Sequence, residues 1–257
     1  MPQTLGCGPG QQWPFPGGGA IVNNTWNSNA AGSFPWQQCI ERRAPTGVAG
    51  AATEYGWWWR WPHPGHAVYA YPEILVGANP WAAGPGNDAR FPHKIADTAH
   101  LRLAYDVDLA ATGSYDLSTS IWLIRTPAVA TPAVLADIST EIMIWSDYTP
   151  DMVADPGTNR KRGEFVSTDG TLWEIWADPA WGDMSGASRH TWAHVVYLAK
   201  PGQRQRAMTY DAMQFVANAV SLGLARSDYY IADVELGVEV VAGTGSAWIR
   251  SFSLTLD

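Results

Sequence analysis

The chain has 257 residues, a formal net charge of −8 and only 16% charged residues. That balance excludes a polyanionic partner such as nucleic acid, because no basic cluster is present to displace counterions from phosphates. No apolar run approaches the ~18 residues of a membrane-spanning helix, so no membrane partner is expected.

The first seven residues, Met1 to Cys7, do not read as a signal peptide, so export would require a leader removed ahead of them. Residues 7–39 are rich in Gly, Pro, Asn and Trp, with short strand candidates at 20–23 and 37–40. Asn23 heads an Asn-Asn-Thr glycosylation sequon. Trp26, set among Asn residues, has the look of a platform for a sugar ring. Cys7 and Cys39 are the two cysteines of the chain. A single pair in a Trp-rich, weakly charged chain suggests one disulfide and an oxidising compartment, with two free buried thiols as the alternative.

The densest aromatic run is Gly56-Trp57-Trp58-Trp59-Arg60-Trp61-Pro62. As a strand it sets Trp57 and Trp59 against Trp58 and Arg60, so only part of it enters a core. His63 and His66 follow in a Pro/Gly turn with no third ligand nearby, and no metal site is expected. Residues 67–77 read as a strand broken at Pro72, and a Pro/Gly loop covers 80–92. Leu101, Leu103, Tyr105, Val107 and Leu109 repeat at period two, as a half-buried strand does. Residues 114–123 do the same, with Asp116, Ser118, Ser120 and Trp122 on one face and Tyr115, Leu117, Thr119, Ile121 and Leu123 on the other.

The stretch Thr140 to Trp145 holds a carboxylate inside an apolar, β-branched strand. Alternation puts Glu141, Met143 and Trp145 on one face and Ile142 and Ile144 on the other. An ionised Glu is rarely buried without a partner, and a face of Glu, Met and Trp suits a sugar-binding cleft. Glu141 is therefore a candidate catalytic carboxylate, against the blander reading of a structural or rim Glu.

A turn-rich loop spans 146–163, followed by strands near 164–166, 171–177 and 191–198. One helix is predicted from Met213, Val216, Ala217 and Val220, capped by Thr209 or Asp211 and ended by Gly223. Final strands cover 230–241 and 247–256. In the first of these Val234, Leu236, Val238 and Val240 form an apolar face, and Glu235, Gly237, Glu239 and Val241 the other. Glu235 and Glu239 lie ~13 Å apart along the strand, too far to work as a pair, but each can face Glu141 across a cleft. Glu235 by itself reads as a surface carboxylate, and Gly237 would leave room for a sugar beside Glu239. Without internal repeats or a clear linker, residues 1–257 are expected to form one all-β domain, a sandwich of two antiparallel sheets with one short helix. Fifteen Trp exceed what one core uses, and the surplus suits a surface on which pyranose rings stack.

A glycosidase needs two carboxyl groups flanking one bond, one with its pKa raised to act as the acid. Glu141-Ile142-Met143-Ile144-Trp145 resembles the nucleophile motif of glycoside hydrolase family 12, the β-jelly-roll endoglucanases and xyloglucanases. Glu235-Leu236-Gly237-Val238-Glu239, with the turn Gly243-Thr244-Gly245 and the strand Ser251 to Leu256, is similar to that family's acid/base motif and last strand. Asn24-Thr25-Trp26 with Cys7 and Cys39 resembles its amino-terminal disulfide loop, Tyr71-Pro72-Glu73-Ile74 one of its strands, and Tyr115-Asp116 the Tyr-Asp whose carboxylate hydrogen-bonds the nucleophile. The chain departs from the family at Val240-Val241, where an aromatic usually follows the acid/base, and at Ser146-Asp147-Tyr148 and the loop beyond.

The resemblance implies a curved cleft on a jelly roll and an endo-acting, retaining hydrolase of β-1,4-glucan. Glu141 would be the nucleophile, Glu239 the acid/base, and Asp116 the residue that orients Glu141. Substrate contacts would come from Asn24, Trp26, Trp122, Met143 and Trp145. A secreted monomer acting on β-glucan is expected, with no metal and no organic cofactor. The alternatives are a non-catalytic carbohydrate-binding sandwich, which needs Trp platforms but no carboxylate pair, and a related jelly-roll xylanase.

Overall fold

The fold comes from a computed structural model that describes residues 1–44, 52–62, 67–82, 86–154 and 160–257. His63 and His66 lie outside the described residues. Strands in chain order are β1 (Gln3–Gly6), β2 (Gln12–Pro14), β3 (Ala20–Val22), β4 (Gln37–Arg43), β5 (Glu54–Trp61), β6 (Glu73–Gly77), β7 (His93–Lys94), β8 (Leu101–Thr112), β9 (Tyr115–Ile124) and β10 (Ile138–Tyr148). After them come β11 (Arg160–Val166), β12 (Leu172–Gly182), β13 (Thr191–Ala199), β14 (Ala207–Asp211), β15 (Tyr230–Val240) and β16 (Gly243–Leu256).

They form two sheets. The smaller has the order β1-β4-β5-β16-β8-β14. The larger runs β11-β12-β13-β10-β9-β15-β6-β3-β2, with β7 paired to β15. Among the described residues every pairing is antiparallel except β10 with β13. That exception departs from the expected purely antiparallel sandwich and has a topological cause. After β10 the chain crosses to the sheet edge, returns through the β11–β12 hairpin and enters β13 in the direction of β10, the crossover that a parallel pair requires.

The period-two patterns decide what is buried between the sheets. Trp57 and Trp59 from β5, alternate residues Leu101 to Leu109 of β8, Leu117 and Ile121 of β9, Ile142 and Ile144 of β10, and Val234, Leu236 and Val238 of β15 belong to one contiguous core. Burying apolar side chains of this size contributes roughly 1.5–3 kcal/mol each. Trp58 and Arg60 point out of it, as alternation along β5 requires. Glycine is needed where β16 crosses β5, since a Cβ on Gly245 would sit 2.3 Å from the Trp59 ring.

The one-turn helix α1 (Asp151–Ala154) interrupts the expected 146–163 loop, and α2 (Met213–Ser221) is the only helix longer than one turn among the described residues. Asp211 Oδ1 accepts the Met213 N–H at 3.1 Å, and Gly223 ends α2 with φ of 71°. Its buried face is Phe215, Val216 and Ala219. Ala217 is exposed, against expectation, because the Phe215 ring and not the Ala217 methyl fills the space between Trp173 and Tyr197.

Cys7 and Cys39 are joined in a disulfide that ties the turn after β1 to β4. Asn23 is fully buried and donates through Nδ2 to the Gly8 and Gln38 carbonyls, so the sequon cannot carry a glycan. Ser146, Asp147 and Tyr148 do not open a loop. They complete β10, with Asp147 bound to Arg206 at 2.5 Å and the Tyr148 hydroxyl donating to the Ala199 carbonyl.

Candidate active site

The residues of β9, β10 and β15 that face away from the core open onto a cleft of about 780 Å³ on the outer side of the larger sheet. Its lining includes seven of the fifteen Trp, namely Trp26, Trp81, Trp122, Trp145, Trp176, Trp181 and Trp192. The surplus aromatics are thus gathered on one surface, an arrangement suited to the flat, weakly polar faces of sugar rings. Trp26 is 39% exposed and stands at the rim, whereas Trp122, Met143 and Trp145 are buried in the floor. Asn24 also lines the cleft and donates to Glu73 Oε1 at 3.2 Å.

Strand register sets the carboxylates. Glu141 on β10 lies opposite Trp122 of β9, and Glu239 on β15 lies opposite Asp116 of β9. Glu141 and Glu239 therefore flank β9 from its two sides and line the same cleft. Glu141 Oε2 accepts the Trp192 indole N–H at 3.0 Å, and its Oε1 accepts the Ser120 hydroxyl at 3.4 Å. His194 Nε2 stands 4.0 Å from Oε2.

Asp116 feels the charge of Glu141 but supplies neither of the hydrogen bonds that hold it. Its carboxyl lies against that of Glu239, because register carries it to the Glu239 end of β9. The residues that hold Glu141 are Ser120, which shares the outer face of β9 with Asp116, and Trp192. Gly237 does not make room for a sugar either. The Tyr71 ring and the Pro72 carbonyl fill that space, and a Cβ there would come within 2.7–2.8 Å of them.

The two glutamates have different surroundings. Burial pushes Glu141 up to about 8, the charge of Glu239 adds to the rise, and the bonds from Trp192 and Ser120 oppose it. The repulsion from Glu239 acts only while Glu239 is ionised. Glu239 is driven well above the usual carboxylate range by burial and then by Asp116, its charge and its hydrogen bond. Burial raises Asp116 to about 7, although the bond from Glu239 pulls it down. Donors stabilise a carboxylate and an acidic neighbour stabilises a carboxylic acid. A proton shared by this group therefore rests on Glu239, toward Asp116, in preference to Glu141, whose donors favour its ionised form. Burial pulls His194 down to about 4, so its imidazole is neutral beside Glu141. No Lys or Arg lines the cleft among the described residues.

Glu235 is not on the surface. It is 3% exposed and faces the cleft, because β15 lies between β9 and β6 and has no free edge. Trp81, Trp122 and Trp192 pack edge-on or tilted, with ring centroids 5.1–5.6 Å apart, and form an aromatic wall beside Glu141. Trp181 stacks on His194 at 4.8 Å. Of these, only Trp122 was expected at the site. Trp192 and His194 sit on β13, which reaches Glu141 through the one parallel pairing, and no local pattern announces such a contact. Ser120 was legible as sharing the outer face with Trp122. Among the described residues no group of three or more His, Cys, Asp or Glu is arranged to hold a metal ion.

The family model described as glycosyl hydrolase family 12 matches residues 18–257. The chain is 25% identical over 229 residues to Endoglucanase S of Pectobacterium parmentieri, covering 88% of this chain and 76% of that protein. Its fold is similar to that of a native family 12 xyloglucanase from Bacillus licheniformis, with a TM-score of 0.80, 22% identity and coverage of 98% of this chain and 99% of the other. It is also similar to Endoglucanase 3 from Trichoderma harzianum, with a TM-score of 0.73, 16% identity and coverage of 100% and 98%.

Proposed function

Because the chain belongs to glycosyl hydrolase family 12, we propose that this glycoside hydrolase is an endo-acting, retaining enzyme that cleaves β-1,4-glucosidic bonds in soluble β-glucans. The observation that carries the reading is the unequal pair: two buried glutamates in one Trp-lined cleft, one held by two donors and the other beside an acid. A carbohydrate-binding sandwich without catalysis has no use for such a pair, whose burial costs stability unless protons are retained.

In the first step the Glu141 carboxylate attacks the anomeric carbon while Glu239 gives its proton to the departing glycosidic oxygen. The C–O bond to the leaving sugar breaks and an ester to Glu141 forms. In the second step Glu239, now ionised, takes a proton from water as that water attacks the same carbon and releases Glu141. Asp116 is assigned to Glu239: it accepts the resting acid's proton in a hydrogen bond and raises its affinity for that proton by its charge. Ser120 and Trp192 are assigned to Glu141, whose charge they stabilise. Trp26 and the Trp81–Trp122–Trp192 wall supply stacking surfaces along the glucan. An endo-acting secreted enzyme, built as one catalytic domain and working as a monomer, fits this open cleft and the disulfide.

The test is hydrolysis of soluble mixed-linkage glucan, carboxymethylcellulose, xyloglucan and xylan, followed by reducing-end release. Glu141→Ala and Glu239→Ala are expected to abolish turnover while melting cooperatively. Near-wild-type turnover in either variant, or xylan as the preferred substrate, overturns the reading. Proton NMR of the first product formed should show the β-anomer, and initial release of the α-anomer would refute the double displacement.

A further inference from the structure

Strand β12 carries two Trp that line the cleft, Trp176 and Trp181, and alternation accounts only for the first. Trp173, Ile175 and Ala177 enter the core, which puts Glu174, Trp176 and Asp178 on the outer face and would turn Trp181 inward. Register reverses this. Asp178 pairs with His194 of β13, but Trp181 pairs with Trp192, so three steps along β12 match two along β13. One extra residue in one strand is a β-bulge, which re-aims the side chains that follow it. The bulge falls at Pro179-Ala180. Pro179 has no N–H to offer a ladder, and the Asp178 carboxylate closes the bulge by accepting the Ala180 N–H at 2.8 Å.

Re-aimed in this way, the Trp181 indole stacks on the imidazole of His194, with ring centroids 4.8 Å apart and planes 30° from parallel. It also packs against the cluster that holds Trp122 and Trp192. His194 is buried and lies directly beside Glu141 in the parallel pairing, its Nε2 4.0 Å from Oε2. A single ring therefore separates Trp181 from the proposed nucleophile. One face of the indole is covered by His194, yet the residue remains partly exposed and lines the cleft. A flat ring braced from behind and partly open to a cleft is suited to stacking on the apolar face of a pyranose. Trp26, exposed at the rim, follows β3 on the other side of the sheet. Six inter-strand spacings of about 4.8 Å, roughly 29 Å, separate β3 from β12, and the strands of Glu239 and Glu141 lie between them.

We propose that Trp181, aimed by the bulge and braced by His194, is a stacking platform for a glucosyl unit on the β12 side of the cleavage point, the counterpart of Trp26 across the two carboxylates. The inference rests on the β-glucan substrate proposed above. His194 is a positioning residue that acts through the indole. The glucan is thus gripped on both sides of the scissile bond, and Trp181 contributes to affinity for chains long enough to reach it.

The experiment is calorimetric titration of cellohexaose into the protein carrying Glu141→Gln, which stops turnover. Adding Trp181→Ala is expected to weaken binding about tenfold, as truncating an aromatic anchor does. Unchanged affinity overturns the proposal. Should that variant fold poorly, Trp181→Leu removes the flat ring while filling part of its space and is expected to weaken binding likewise, and unchanged affinity again overturns it. His194→Ala should lose most of the same affinity and add nothing to Trp181→Ala, because the two rings act as a unit. His194→Phe, which keeps a ring under the indole, should restore binding. Losses that multiply, or a Phe variant as weak as the Ala variant, overturn the bracing role. With Glu141 intact, Trp181→Ala should raise KM for soluble glucan more than it lowers kcat, and a fall in kcat at unchanged KM overturns the platform. If the Glu141→Gln protein binds cellohexaose and the wild type fails to cleave it, the hydrolase reading falls and this one stands. If it binds none, both fall.

Discussion

Replacing Trp192 with Phe keeps a ring in the wall formed with Trp81 and Trp122, whose centroids lie 5.1 and 5.6 Å away, and removes one hydrogen bond. That bond runs from the indole N–H to Glu141 Oε2 at 3.0 Å. A hydrogen bond to a charged group is worth roughly 1.5–3 kcal/mol, and one pKa unit corresponds to about 1.36 kcal/mol. Losing the donor destabilises the carboxylate and not the acid, so Glu141 should ionise about 1–2 pH units higher. The acid limb of kcat/KM therefore moves up. Below it activity should fall about 10–100-fold, with much of the loss recovered on the alkaline side of the old limb. The smaller ring also leaves a void that lowers stability, but a void moves no titration. Initial rates on soluble glucan from about pH 4 to about pH 9 separate the two effects. A uniform loss at all pH values, or a limb that stays in place, would refute the idea that the indole holds the charge of Glu141.

Three further outcomes follow from the geometry. Burial raises the pKa of Glu73, Asp116, Glu141, Asp233, Glu235 and Glu239. The stabilising contribution of Asp116, raised to about 7, and of Glu235, raised to about 8, is complete below the unfolded carboxylate range and is lost as pH climbs through those values. The melting temperature should therefore decline from pH 5 to pH 8.5, and a rise over that interval would contradict the assignment. Gly237→Ala drives a methyl against Tyr71 and the Pro72 carbonyl and should destabilise by about 1–3 kcal/mol in urea titrations, with no effect expected if the space were open for sugar. The double variant Cys7→Ser/Cys39→Ser opens a link of 32 residues and should cost about 3–4 kcal/mol, measured against the unreduced wild type.

Much of this molecule could be read along single strands. Alternation alone sorted Ile142 and Ile144 from Glu141, Met143 and Trp145, and Val234, Leu236 and Val238 from Glu235 and Glu239, because a strand presents its two faces at period two whatever it pairs with. The helix was legible in position, from Asp211 and Gly223, but not in its buried face, since packing against Trp173 and Tyr197 chose Phe215 and Ala219 over Ala217. Strand β14 and the short β1, β2 and β7 carry too few apolar residues to stand out from loops.

What the sequence determined by itself was therefore the fold class, the surplus of Trp and the outward face of each carboxylate. Which carboxylate meets which partner was decided only in the tertiary structure. Asp116 follows Tyr115 as the resemblance suggested, yet the β9–β15 register brings it to Glu239, and a side chain from another strand, Trp192 on β13, supplies the donor for Glu141. Glu235 looked like a surface acid until the flanking strands β6 and β9 closed over both of its sides. The physical reason is common to all three. Alternation is a local property of one backbone, whereas register and burial depend on neighbours that are distant in sequence, and a carboxyl group takes its protonation and its role from those neighbours.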